Sequence, residues 1–276
     1  MVARKRFGSG GPLVSVIGQG TWPLPDRDAL RHGIALGLTH IDTAEMYGDG
    51  RSEEIVGEAI AGVPRADLFL VSKVLPQNAD AKGVIRACER SLRRMRTDYL
   101  DCYLLHWRGS VPIEETMAAL ERLVESGKIR SLGVSNLDPW DLREAAAALR
   151  SNAIACDQVL YNLEERTIED HELPWARENG AAIVAYTPLG KPTLDAKKKR
   201  YAAVAQIAAT RGVSAQAVAL AFLIRDERVF AIPKASRIEH VAANAAAAAL
   251  TLDEDEIAAI DAAHPKRRRV GALPTN

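Results

Sequence analysis

Eight short apolar runs rich in β-branched residues recur along the chain, separated by longer segments whose apolar positions follow helical spacing. The runs are SVIGQG (15–20), THIDTA (39–44), LFLVSKV (68–74), LDCYLLHW (100–107), IRSLGVSN (129–136), CDQVLYN (156–162), AAIVAYTP (181–188) and VFAIPKAS (229–236). Helical patterns occupy 26–36, 52–61, 80–96, 113–126, 138–149, 168–179 and 197–225, the last broken at Gly212; 238–250 and 253–263 follow the eighth run. A strand that is apolar on both faces needs a packed layer on each side, as in a parallel sheet covered by helices. Eight βα units with no Pro-, Gly- or Ser-rich linker predict one domain over residues 1–276, a (β/α)8 TIM barrel. The stretch KRFGSGGPLV places a Gly-rich turn between β-prone flanks and reads as an N-terminal β-hairpin closing the barrel bottom. A short helix and tail end the chain.

Helix punctuation agrees. Asp138-Pro139 reads as an N-cap followed by a first-turn proline, and Gly127, Gly180 and Gly212 sit where helices should stop. The competing architecture, a doubly wound sheet with a dinucleotide fingerprint, lacks its strand–GxGxxG–helix context: Gly18 and Gly20 have no third glycine. The 36 basic residues balance the 36 acidic ones, which gives no argument for nucleic acid or an anionic membrane. The run Lys266–Arg269 reads as a solvated tail. Cys88, Cys102 and Cys156 are odd in number and unpaired in spacing, as expected of buried thiols in a reducing compartment. With no apolar signal core in MVARKRFGSGGPL and no membrane-length apolar run, the expectation is a cytoplasmic protein. No heptad or long exposed apolar strand marks an interface, so a monomer is expected.

In barrels of this kind, functional groups come from the C-terminal ends of several strands. Read in order, those ends carry Trp22, Asp42, Lys73, His106, Ser135-Asn136, Gln158, Tyr186 and Lys234. Singly, each has a structural reading: Asp42 as a turn cap, Lys73 as a surface lysine, His106 as a core histidine, Tyr47 as a loop aromatic. Together they converge on one rim. A tyrosine is a weak acid, with a free pKa of about 10. A neighbouring lysine cation lowers it, and a carboxylate keeps that lysine charged and oriented. A neutral histidine can hydrogen-bond a reacting carbonyl oxygen. Asp42, Tyr47, Lys73 and His106 therefore compose a proton-donating site that needs no metal.

These four residues, in the contexts HIDTAEMYGDG, LFLVSKV and DCYLLHWRG, resemble the aldo-keto reductase superfamily. The resemblance runs through GKIRSLGVSN, DQVLYNLEER, AYTPLG and IPKASRIEH and covers essentially the whole chain, closest to short bacterial members whose fourth strand ends in His-Trp-Arg. It implies NAD(P)H-dependent reduction of aldehydes or ketones. Tyr47 would donate the proton, Lys73 and Asp42 would tune it, and His106 would orient the carbonyl. Ser135, Asn136 and Gln158 would hold the nicotinamide carboxamide, and Tyr186 would stack on its ring. The Thr187-Pro188-Leu189-Gly190 backbone would pass the pyrophosphate. Trp22, near both cofactor and substrate, and Trp107 would line the substrate pocket.

The adenosine end would meet Lys234, Ala235, Ser236, Arg237, His240 and Asn244, with Lys234, Ser236 and Arg237 on a 2′-phosphate. Members that strongly prefer NADPH often carry Arg where this chain has His240; many members have Ser where it has Ala235, and Glu often precedes the Asn matching Asn244, where it has Ala243. The resemblance thus implies NADPH preference with weaker NADH use. Short segments at 107–112, 190–200 and 264–276 imply an open mouth and a broad reductase of small carbonyls, such as methylglyoxal or aromatic aldehydes. Arg108 reads either as a charge for acidic or dicarbonyl substrates or as a solvated rim residue. Two other functions fit parts of the pattern: a nucleotide-binding redox sensor without turnover, and a Schiff-base aldolase using Lys73.

Overall fold

The computed structural model describes residues 2–190, 194–195, 197–269 and 271–275. Residues 191–193 and 196, within the segment 190–200 expected to be a short rim loop, lie outside that set. The chain opens with an antiparallel hairpin, β1 (Arg4–Arg6) on β2 (Leu13–Ser15). Eight parallel strands follow: β3 (Gln19–Gly20), β4 (His40–Asp42), β5 (Phe69–Val74), β6 (Leu100–Leu105), β7 (Ile129–Ser135), β8 (Ile154–Leu160), β9 (Ala182–Tyr186) and β10 (Val229–Ala231). They pair in sequence order, and a parallel bridge from Ile17 to Ala231 joins the two ends into a closed barrel. The first strand is shorter than its apolar run. At this seam the backbones crowd, and a Cβ on Gly20 would lie 2.5 Å from the Ile232 carbonyl oxygen.

Helices wrap the outside: α1 (Arg27–Ala35), α2 (Arg51–Ile60), α3 (Gly83–Met95), α4 (Ile113–Glu125), α5 (Pro139–Ala147), α6 (Glu172–Asn179), α7 (Ala202–Arg211), α8 (Ala215–Leu223), α9 (Ile238–Ala247) and α10 (Glu254–Ala263). The Asp138 side chain caps α5 at the Trp140 and Asp141 amides, and Gly212 in the left-handed region separates α7 from α8, as the sequence indicates. The third helix begins later than its pattern suggests, because Asp80 Oδ1 accepts from the Lys82 and Gly83 amides and holds residues 80–82 in a turn. The basic run is only partly solvated: Lys266 pairs with Asp170 and Arg269 with the buried Glu172.

Two apolar cores follow from strand alternation. Ile41, Leu70, Tyr103, Leu132, Ile183 and their neighbours pack outward against the helices. Phe7, Phe69, Val71, Cys102, Leu104, Cys156, Val184 and Phe230 fill the barrel interior. The hairpin delivers Phe7 to the barrel floor, where its ring meets Phe69 at 4.6 Å and Phe230 at 5.1 Å.

His40 lies in this aromatic floor. It is fully buried, neither ring nitrogen has a hydrogen-bond partner, and the rings of Phe69 and Phe7 stand edge-on at 5.3 and 5.8 Å. Burial, and next the Lys73 charge, lower its pKa to about 3. The unfolded chain takes up a proton that the native chain refuses, so stability is lost as pH falls below the unfolded value toward the folded one. Between pH 7 and pH 5 this loss should be about 2 kcal/mol. Urea unfolding of His40→Leu should show about that much less acid destabilisation than wild type over the same range; equal losses would contradict the assignment.

Candidate active site

The inward side-chain positions continue up each strand until they emerge at one rim. His40 is followed by Asp42, Phe69 and Val71 by Lys73, Cys102 and Leu104 by His106, Cys156 by Gln158, and Val184 by Tyr186. Each polar group sits two residues beyond an inward neighbour, the period that keeps it on the inner face. Asp42, His106, Gln158 and Tyr186 line a cavity of about 640 Å³, together with Trp22, Met46, Tyr47, Trp107, Asn136 and Lys234, and Lys73 lies behind Asp42 and Tyr47.

At its base Lys73 is completely buried. Its ammonium donates to Asp42 Oδ1 at 2.5 Å and to the Thr43 carbonyl at 2.8 Å, and makes a long contact of 3.5 Å with the Tyr47 hydroxyl. Asp42 Oδ2 accepts from Gln158 Nε2 at 2.7 Å. Burial works against the lysine charge, but Asp42 and then Tyr47 outweigh it and hold Lys73 above its ordinary pKa. Burial raises Asp42 while the Lys73 charge opposes it. A lysine so paired is a cation and not a free amine, which removes the basis for Schiff-base chemistry at this position.

Tyr47 follows β4 on a tight turn through Gly48, Asp49 and Gly50, all with positive φ. Gly50 starts α2 at φ +90, a left-handed conformation that favours glycine. The sequence reading expects Lys73 to bring the phenol below its free value. The structure reverses the net direction: burial raises Tyr47, Lys73 lowers it in part, and Asp42 pushes it up again. The phenol is therefore held protonated at neutral pH. The His106 ring stands edge-on to it at 5.8 Å. Burial, and next Lys73, bring His106 down to about 3, so the ring is neutral, and its Nδ1 has no partner within the protein.

On the far wall the residues expected near a nicotinamide form one network. Ser135 Oγ donates to the Gln158 carbonyl at 2.8 Å. Asn136 Nδ2 donates to Ser135 Oγ at 3.0 Å and to the His106 carbonyl at 3.2 Å, and Asn136 Oδ1 accepts from the Tyr186 hydroxyl at 2.8 Å. Asn136 and Thr187 both hold positive φ, 59° and 48°. For Asn this is a tolerated conformation; for β-branched Thr it is strained, and it turns the chain away from β9 into Pro188, Leu189 and Gly190. Beyond β10, Lys234 hydrogen-bonds Ser236, Arg237 contacts His240 Nε2 at 2.7 Å and Glu239 at 3.2 Å, and Asn244 is buried in α9. Ala235 lies between Lys234 and Ser236, half-buried.

Several participants escape sequence inspection. The Thr43 carbonyl is a main-chain ligand of Lys73, Thr21 lines the cavity outside every quoted motif, and Gly20, Met46 and Ile232 line it from inside quoted stretches that gave them no role. Thr275 joins the lining too, so the short tail reaches back to a mouth expected to be open. Arg108 is neither a free charge nor a solvated rim residue: it is bound by Asp141 and Glu144.

The sequence and the fold are shared with known proteins. The sequence profile of the Aldo/keto reductase family matches residues 17–265. Methylglyoxal reductase YeaE of Escherichia coli is 47% identical over 274 residues, covering 96% of each chain. An aldo/keto reductase from Klebsiella pneumoniae, solved in complex with NADP and acetate, superposes with a TM-score of 0.90 at 43% identity, covering 100% of both chains. A second Klebsiella pneumoniae structure, in complex with NADPH, gives the same score, identity and coverage. The chain therefore belongs to the aldo/keto reductase family.

Proposed function

We propose that this protein reduces small aldehydes and ketones to alcohols with NADPH, methylglyoxal among them, and that Tyr47, Lys73, Asp42 and His106 carry the proton half of the reaction. The observation that carries this reading is the buried Lys73 cation, in contact with both Asp42 and the Tyr47 hydroxyl, beneath a cavity that also contains His106. The cleft suits a dinucleotide: it extends from Tyr47 and His106 past Asn136, Gln158 and Tyr186 to Thr187, Pro188 and Lys234. Bound NADPH supplies the hydride.

Neutral His106 hydrogen-bonds the carbonyl oxygen and sets its angle, and Tyr47 gives its proton to the same oxygen. The negative charge left on the phenolate faces the Lys73 ammonium, which Asp42 keeps protonated. Tyr186, fixed through Asn136, offers an aromatic wall for the nicotinamide, with Ser135, Asn136 and Gln158 around its carboxamide. The backbone at Thr187–Gly190 would hold the pyrophosphate, and Lys234, Ser236 and Arg237 would bind the 2′-phosphate, with Ala235, His240 and Asn244 at the adenosine end. Trp22 and Trp107 contact the substrate. The three cysteines are free and buried, consistent with a cytoplasmic protein; no described helix is long and apolar enough to cross a membrane. The whole chain acts as one domain and a monomer.

Replacing Tyr47 by Phe should lower kcat for methylglyoxal by about 10²–10⁴-fold, followed as NADPH absorbance, with NADPH affinity retained. A Phe variant that keeps more than about a tenth of wild-type kcat would place the acid elsewhere. The double replacement Lys234→Ala/Arg237→Ala should weaken NADPH by about 10- to 100-fold in fluorescence titration and leave NADH nearly unchanged. Equal weakening of both nucleotides would show that these side chains do not read the 2′-phosphate.

A further inference from the structure

Among the described residues, two cations belong to the cavity wall, Arg108 and Lys234. They follow β6 and β10, four strands apart in an eight-stranded barrel and hence on opposite sides of the mouth. Lys234 belongs to the nucleotide side. Arg108 belongs to the substrate side, next to His106 and Trp107 in the chain, and it is already engaged. Its Nη1 donates to Asp141 Oδ1 and Glu144 Oε2, each at 2.5 Å, and its Nη2 to Glu144 Oε1 at 3.0 Å. The Glu144 contact is the two-pronged geometry in which guanidinium and carboxylate bind most strongly. Both acids come from one face of α5, three residues apart, and that helix is set by the Asp138 cap.

Two carboxylates on one guanidinium leave a net negative charge at the rim. All three side chains are a quarter to a third exposed, too sheltered for water to screen them fully. Of the described residues that line this side beside Arg108, His106 is uncharged and Trp22, Trp107 and Met46 present apolar surface; the Lys73 cation is buried and paired with Asp42, and Arg143 of α5 is exposed and does not line the cavity. An incoming carboxylate would have to displace Asp141 or Glu144 from Arg108, or rest beside them uncompensated.

We infer that Asp141 and Glu144, by occupying Arg108, make the substrate end of the cleft exclude carbonyl compounds that carry a carboxylate, so that neutral aldehydes and ketones are the substrate class. This rests on the reductase reading above and specifies which substrates that site accepts. Asp141 and Glu144 are specificity determinants acting through Arg108; they take no part in the chemical step.

The test compares para-carboxybenzaldehyde with its methyl ester, which differ chiefly in charge. Wild type should favour the ester by about 30-fold or more in kcat/KM, and Asp141→Asn/Glu144→Gln should cut this to about threefold or less, chiefly through the KM of the acid. The replacement Arg108→Met, which leaves the two acids unopposed, should widen the gap. A wild-type ratio near one, or a ratio unchanged in the double variant, overturns the inference. Binding of both compounds to the NADPH complex of Tyr47→Phe, read by nucleotide fluorescence, gives the same ranking without turnover. Loss of that ranking sinks the specificity argument, whereas an intact ranking with no reduction of any aldehyde by wild type sinks the reductase reading alone.

Discussion

The ion pair between Lys73 and Asp42 is the interaction on which the rest of the site depends. Both side chains are removed from water, a transfer that costs several kcal/mol per charge unless each charge is matched and its hydrogen bonds are completed. Here they are. The lysine has the Asp42 carboxylate, the Thr43 carbonyl and the Tyr47 hydroxyl; the carboxylate has the lysine and the Gln158 amide. Those partners come from β4, the turn after it, β5 and β8. Satisfying one buried ammonium therefore requires that strands far apart in sequence meet in one register. Removing Lys73 or Asp42 alone would leave the other's charge unmatched in the interior, a loss of about 3–5 kcal/mol.

The barrel beneath gives that pair its fixed position. Phe7, Phe69 and Phe230 close the floor, Val71, Leu104 and Val184 fill the middle, and the polar layer begins only at the rim. Rigid strands carry the acid's supporting groups, while Tyr47 is carried by a glycine-rich turn anchored at the start of α2. Burial does two opposed things to the chemistry. It raises the Tyr47 phenol and so keeps the proton available; it also lowers His106 and so keeps that ring neutral. A phenol that holds its proton in the free protein and finds a cation waiting when it gives the proton up is arranged for donation.

Much of this was legible in the sequence, and the reasons are specific. Alternation of two residues along β5 and β6 places Lys73 and His106 on the same inner face as Val71 and Leu104, so a polar residue ending an inward apolar row announces the rim. The Gly212 break and the Asp138-Pro139 cap are local signals and were readable for that reason. What could not be read depends on contacts across the chain. The net pKa direction of Tyr47 is a competition between desolvation and Lys73, and only depth decides it. The fate of Arg108 depends on a helix 33 residues further on. The Thr43 ligand is a main-chain carbonyl, to which any residue type would contribute alike. Thr275 reaches the cavity from the end of the chain with no periodicity to foretell it.

The most direct test of this account is turnover by Lys73→Met, measured as NADPH oxidation with methylglyoxal beside NADPH affinity. If the buried cation organises the acid, kcat falls by about 10²-fold or more while the nucleotide still binds. A Met variant that retains kcat within about tenfold of wild type would mean that Tyr47 donates its proton without the pair, and the central claim would fail.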